Sequence, residues 1–271
     1  MQFARLNDVT LHYQVIGSPA EQPAVVFVNS LGSDFRIWRD VVVRLAGDCA
    51  MLMYDKRGHG LSDVGETPYT MATHAADLEA LLQHTGFSGA VAVGSSVGGL
   101  IAQQLSLSRP RSLAGIMLLG IAHKVGTAQS WAERIAAVSK GGIDAVADKI
   151  VSGWFTAEFR KDKATTAGYR NMLTRTPQDG YLGTVAAIRD TDFTKTARNI
   201  KVPVVCAVGD SDPTTPVSLA QEYLELAPTA RLEIIVHAGH IPCVEQPDAV
   251  AKIIRELISL VGTETHSHVA H

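Results

Sequence analysis

Among the residues able to do chemistry, the segment Gly94-Ser95-Ser96-Val97-Gly98 stands first. Glycines two residues to either side of a serine suit a tight strand-to-helix turn, where neighbouring backbone leaves no room for a Cβ. The apolar run 89–93 precedes the segment, a helical pattern follows it, and Gly99 adds further room. That context favours a nucleophile over a glycine-rich turn without chemistry. Ser96 holds the central position, and Ser95 is its neighbouring alternative.

A serine hydroxyl is a weak nucleophile at neutral pH and needs a base. Of the ten histidines, His240 is preferred. It lies in Ala238-Gly239-His240, just past the last apolar run, where a loop at a sheet's C-terminal edge would present it. His237 is the nearest rival, but it directly ends that run and could simply cap it. The base in turn needs a buried carboxylate to fix its tautomer and stabilise its charged form. The run 202–208 ends at Gly209-Asp210-Ser211-Asp212, so both aspartates are candidates, each with the ordinary alternative of a turn residue. Asp212 is preferred, because it stands three beyond the glycine and opens the loop containing Pro213 and Pro216. Acyl transfer also requires two backbone N–H donors for the oxyanion. Val97, directly after the nucleophile, supplies the first. Asn29-Ser30-Leu31-Gly32 ends another apolar run and supplies the second through the amide of Leu31.

These positions demand elements that carry them. Strands are expected over 10–15, 24–29, 50–54, 89–93, 113–119, 202–208 and 232–236, the first by alternation and most of the rest as continuous apolar runs. Helices are expected over 41–45, 69–86 and 97–108. Continuous apolar strands separated by helices imply an α/β fold, a mostly parallel sheet covered on both faces. The first two strands look like a hairpin forming an antiparallel edge. Between residues 121 and 201 the rhythm breaks into helical segments alone, at 131–139, 143–151, 157–174 and 180–187. The return to strands afterwards makes this an insertion, a helical cap over the sheet's C-terminal edge, rather than a separate helical domain. The expected division is a core of 1–121 with 201–262, a cap of 122–200, and a disordered tail, 263–271, in which three histidines fit a frayed end better than a metal site.

Composition narrows the function classes. The 271 residues are 46% hydrophobic and 19% charged, with a net charge of −3 and a pI near 6.4. No cationic field is present to draw the chain to nucleic acid or anionic lipid. Cys49, Cys206 and Cys243 are widely spaced with no CxxC pair, which fits a reducing compartment and no zinc site. Neither a signal peptide nor an apolar stretch of the ~18 residues needed for a membrane span is visible, so a cytoplasmic location is expected. The sequence contains no Walker motif, no dinucleotide fingerprint and no metal cluster, and no cofactor is expected. Oligomeric state cannot be read.

Taken together, these residues resemble the α/β-hydrolase family from about Leu11 to Leu260. Their details resemble one branch, the 3-oxoadipate enol-lactonases of aromatic catabolism and the β-ketoadipate pathway. The loop Asn29-Ser30-Leu31-Gly32, followed by Asp34 and Trp38, has the form characteristic of that branch. Tyr54-Asp55-Lys56-Arg57-Gly58-His59-Gly60-Leu61-Ser62 is also similar, though widely shared. The cap adds Ser130-Trp131, Arg134-Ile135, Gly153-Trp154-Phe155-Thr156, Gly180-Tyr181 and Ile188-Arg189-Asp190-Thr191-Asp192. The elbow departs from the pattern, with Ser95 and Val97 where the branch commonly has leucine or methionine.

The resemblance implies a five-membered enol-lactone bearing an acetate arm, opened by water through an acyl-enzyme on Ser96. The free carboxylate then needs a cation or several donors in a largely apolar pocket, because an unpaired buried charge is costly. Arg134 is the candidate, with Trp131 and Trp154 as walls; the competing readings are a solvated helix face for the arginine and core packing for the tryptophans. The alternatives are a carboxylesterase or carbon–carbon bond hydrolase of the same fold and, in a different class, a non-catalytic small-ligand binder. A dehalogenase or epoxide hydrolase would need aspartate at position 96.

Overall fold

Five runs with no wet face fix the centre of the fold, and a chain can hide both faces of such strands only by laying helices over each side. The computed structural model describes the backbone of residues 1–268 and the side chains of residues 1–262, so the tail expected over 263–271 falls outside the fully described residues. In chain order the elements begin with strands β1 (Gln2–Leu6), β2 (Val9–Ile16) and β3 (Ala24–Val28), helix α1 (Arg39–Arg44), β4 (Ala50–Tyr54), α2 (Met71–Thr85), β5 (Ala90–Ser95), α3 (Val97–Ser108) and β6 (Leu113–Leu119). Four helices follow without a strand: α4 (Ala128–Gly141), α5 (Asp144–Trp154), α6 (Lys163–Thr174) and α7 (Gln178–Arg189). The chain then resumes with β7 (Val204–Gly209), α8 (Val217–Leu226), β8 (Ala230–Ile235), α9 (Pro242–Glu245) and α10 (Pro247–His268).

The eight strands form one sheet in the order β1-β2-β4-β3-β5-β6-β7-β8. From β4 to β8 every pairing is parallel; β2 runs antiparallel to both β1 and β4. The antiparallel edge is therefore β1 with β2, not β2 with β3 as the sequence suggested. The reason is burial: β3 is almost wholly buried and takes an interior place between β4 and β5, whereas β1 carries exposed residues and suits an edge. Helices α2 and α3 pack together on one face, with α3 against β3, β5 and β6, and α1 packs on α10 on the other. A β-sheet of this kind binds ligands where successive connections leave in opposite directions. Here β3 connects outward to β4 and β5 to β6, so that crevice opens between the ends of β3 and β5.

One further expectation is corrected by the structure. The helix expected over 157–174 is interrupted: a short 3-10 turn, Phe159–Lys161, precedes α6, and the Asp162 side chain accepts the amide of Thr165 as an N-cap. Helices α8, α9 and α10 lie where the sequence analysis expects no element, although α10 is the longest helix among the described residues. Among the described residues no helix is long and apolar enough to cross a membrane.

Candidate active site

Ser96 follows β5 directly and stands at the N-terminus of α3, with φ 51° and ψ −121°. A left-handed conformation at a residue with a Cβ costs on the order of 1–3 kcal/mol and persists only where its surroundings enforce it. Its amide donates to the Leu119 carbonyl at 2.8 Å, and its own carbonyl accepts from Gly99 at 2.8 Å. Glycine is required on both sides: a Cβ on Gly94 would lie 2.4 Å from the Gly98 carbonyl, and one on Gly98 would lie 2.1 Å from the Val28 carbonyl oxygen.

His240 and Asp212 arrive from the loops after β8 and β7. His240 Nε2 is 3.0 Å from Ser96 Oγ, and His240 Nδ1 is 2.8 Å from Asp212 Oδ2. The other oxygen, Asp212 Oδ1, accepts the amides of Thr214 (2.8 Å) and Thr215 (3.0 Å), so the carboxylate cannot turn away. All three groups are buried. An acceptor at Nδ1 selects the tautomer with hydrogen there, which leaves the Nε2 lone pair facing the serine hydroxyl. The rivals separate cleanly. Asp210 accepts the amides of His237 and Ala238, and His237 sits in this exposed turn at φ 59°. Ser95 is buried in β5, and its hydroxyl has no hydrogen-bond partner among the described residues.

Facing Ser96 across the crevice is the turn after β3. Val97 is the first residue of α3, where an amide has no intrahelical acceptor. The amide of Leu31 likewise meets no acceptor among the described residues, and Leu31 lines the same cavity as Ser96. The loop between β4 and α2 holds this turn from behind. Lys56 Nζ donates to the Ser30 carbonyl at 2.6 Å, and His59 Nε2 accepts the amide of Gly32 at 3.0 Å. Burial, and then the nearby Lys56 charge, push the His59 imidazole well below its ordinary range, which keeps it neutral and able to accept. Burial also pushes the Lys56 amine down to about 7.

The cavity above Ser96 measures about 480 Å³ and is lined by Trp131, Arg134, Lys149, Trp154, Tyr181 and His240 among others. Arg134 donates to the Tyr181 hydroxyl at 3.2 Å and lies over the Trp131 ring at 5.7 Å, with no ion-pair partner among the described residues. The structure thus brings Trp131, Arg134 and Trp154 to the cavity. Burial raises the Tyr181 hydroxyl, which stays protonated and able to donate.

Four contributors escaped sequence reasoning. Lys149 is a second cation on the cavity wall. Lys56 and His59 act on the turn after β3, and Glu245 bridges the segment after α5 and the loop that carries His240: it accepts the Thr156 amide and hydroxyl at 3.0 and 2.6 Å and the Gly239 amide at 2.7 Å. A carboxylate five residues past a candidate base, just before Pro247, is the signal that could have found Glu245.

Comparison with known proteins identifies the family of the fold. Residues 23–247 match the family described as alpha/beta hydrolase fold. The chain is 32% identical over 244 residues to 3-oxoadipate enol-lactonase 2 of Acinetobacter baylyi, covering 90% of this chain and 91% of the relative. It is 28% identical to that organism's 3-oxoadipate enol-lactonase 1, over 93% and 94% of the two chains. The crystal structure of the enol-lactonase from Burkholderia xenovorans superposes with a TM-score of 0.91 at 28% identity, covering 95% of this chain and all of that one.

Proposed function

Because the chain belongs to the α/β-hydrolase fold family, we propose that it is a serine hydrolase that opens 3-oxoadipate enol-lactone to 3-oxoadipate. The observation that carries the reading is the hydrogen-bonded line from Ser96 through His240 to Asp212, in a cavity lined by two cations that have no ion-pair partner among the described residues. In this reading Ser96 Oγ attacks the lactone carbonyl while His240 Nε2 takes its proton, and the oxyanion is received by the amides of Leu31 and Val97. Collapse expels the enol oxygen, which takes the proton from His240 and tautomerises to the ketone. Water, deprotonated by His240, then releases the acyl group and restores the hydroxyl. Asp212 holds the imidazole and stabilises its cationic form throughout.

The acetate carboxylate is assigned to Arg134, with Lys149 lining the same cavity and Trp131 and Trp154 as walls. Residues 1–121 with 201–262 then make the hydrolase core and 122–200 the cap that selects the substrate, within the breakdown of aromatic compounds. A carboxylesterase would share the same chemistry, but two cations lining the cavity that holds Ser96 favour an anionic acyl partner. The test is turnover of the enol-lactone against a panel of uncharged esters, together with labelling by a fluorophosphonate. Lactone preference of orders of magnitude is expected, with Ser96→Ala unlabelled and slower by about 10⁴-fold or more. Labelling that survives Ser96→Ala would remove the nucleophile, and equal turnover of uncharged esters would remove the lactone.

A further inference from the structure

Lys56 has a burial that its place in the chain does not explain. It is 1% exposed, at the start of the loop after β4, with no carboxylate in ion-pair range among the described residues. Asp55 beside it is already committed, one oxygen to the Phe35 amide and the other to the Leu61 amide and His12 Nδ1. The charges of Asp55 and Asp34 reach it only from beyond contact distance, so taking this amine out of water is costly, and an apolar side chain of the same length would serve the core better. What Lys56 does contact is backbone: the Ser30 carbonyl at 2.6 Å and the Asn29 carbonyl at 3.4 Å.

The Ser30 carbonyl belongs to the same peptide unit as the Leu31 amide. A trans peptide is planar, and its C=O and N–H point in opposite directions. A donor that fixes the carbonyl on the buried side therefore aims the N–H the other way, toward the cavity that Leu31 shares with Ser96. The Ser33 amide and hydroxyl also reach the Ser30 oxygen, at 3.3 and 3.0 Å, but both come from within the turn itself and move with it. Among the described residues, Lys56 alone ties that oxygen to the adjoining strand end.

We propose that Lys56 is a positioning residue for the oxyanion site, setting the angle of the Ser30–Leu31 peptide through its hydrogen bond to the Ser30 carbonyl. This inference rests on the serine-hydrolase reading given above. His59 fixes the next peptide through the Gly32 amide, so the two side chains together determine the turn on both sides of Leu31.

The experiment compares wild type with Lys56→Met and Lys56→Gln, using an uncharged p-nitrophenyl ester as substrate and an alkyl trifluoromethyl ketone, which adds to the serine reversibly, as a tetrahedral mimic. Lys56→Met should lower kcat by about tenfold to a hundredfold with KM within about twofold, and weaken the ketone by the same factor as kcat/KM. Lys56→Gln, which keeps an N–H donor, should fall between the two and carries the comparison if the methionine variant does not fold. A kcat within about threefold of wild type, or a lowered kcat with ketone affinity unchanged, overturns the proposal. Ser96→Ala is measured alongside: if it stays active, the serine-hydrolase reading falls and takes this inference with it. If only the Lys56 variants stay active, this inference falls alone.

Discussion

At the residue scale, the sharpest contrast is between an arginine that holds up the fold and one left with charge to spare. Arg57 is spent on buried Asp77 and on Asp8, whereas Arg134 offers its charge to the cavity with only a phenol and an indole for company. A charged hydrogen bond is worth about 1.5–3 kcal/mol, so Arg134→Ala should raise KM for the anionic lactone by roughly tenfold to a hundredfold. KM for an uncharged ester should barely move, and steady-state kinetics on the two substrates check the difference. An equal rise for both would mean that Arg134 shapes the cavity rather than meeting the carboxylate. Ser96, Asp212 and His240 were legible in the sequence because each stands just past an apolar run, a position that topology converts into a place. Lys56, His59 and Glu245 were not, because they act on backbone amides and carbonyls, and no spacing of residue types records where a carbonyl points.

At the element scale, precision at Ser96 comes from how closely α3 approaches β3 and β5. A Cβ on Gly98 would enter the Val28 carbonyl, which is pinned in the sheet by parallel pairing on both sides and cannot retreat. Gly98→Ala should therefore push α3 outward, lowering Tm by several degrees and kcat by more than tenfold, roughly the cost of overpacking a core plus a misplaced nucleophile. Thermal unfolding and steady-state assay check both; an unchanged Tm with full activity would show that helix and strand have slack. The strands of the parallel region were readable because burial on both faces leaves a continuous apolar signature. The pairing of β2 was not, since alternation shows that a strand has one wet face without naming its neighbour. Helix α10 escaped notice because it lies beyond the last candidate residue, although its apolar side covers β5 and β6.

At the scale of the whole molecule, the buried amine of Lys56 should show itself in stability against pH. Burial lowers its pKa from 10.5 to about 7, so between those values the unfolded chain binds a proton that the folded chain has released. Stability contributed at this site therefore rises with pH across that window, and the full cost of the buried charge is felt below it. Denaturant unfolding of wild type and Lys56→Met should show the difference between them moving in favour of wild type from about pH 6 to about pH 9. A constant difference would mean that the amine titrates alike in both states. The same scale reveals what Glu245 accomplishes by grasping Thr156 on one side and Gly239 on the other. The helical segment between β6 and β7 is thus tied to the rest of the chain away from the points where the chain enters and leaves it, and recombination that replaces this segment inherits the clasp as a constraint. A replacement segment needs a hydroxyl where Thr156 stands; without it, the clasp on that side is reduced to one backbone amide, while Glu245 keeps its hold on Gly239 beside the histidine.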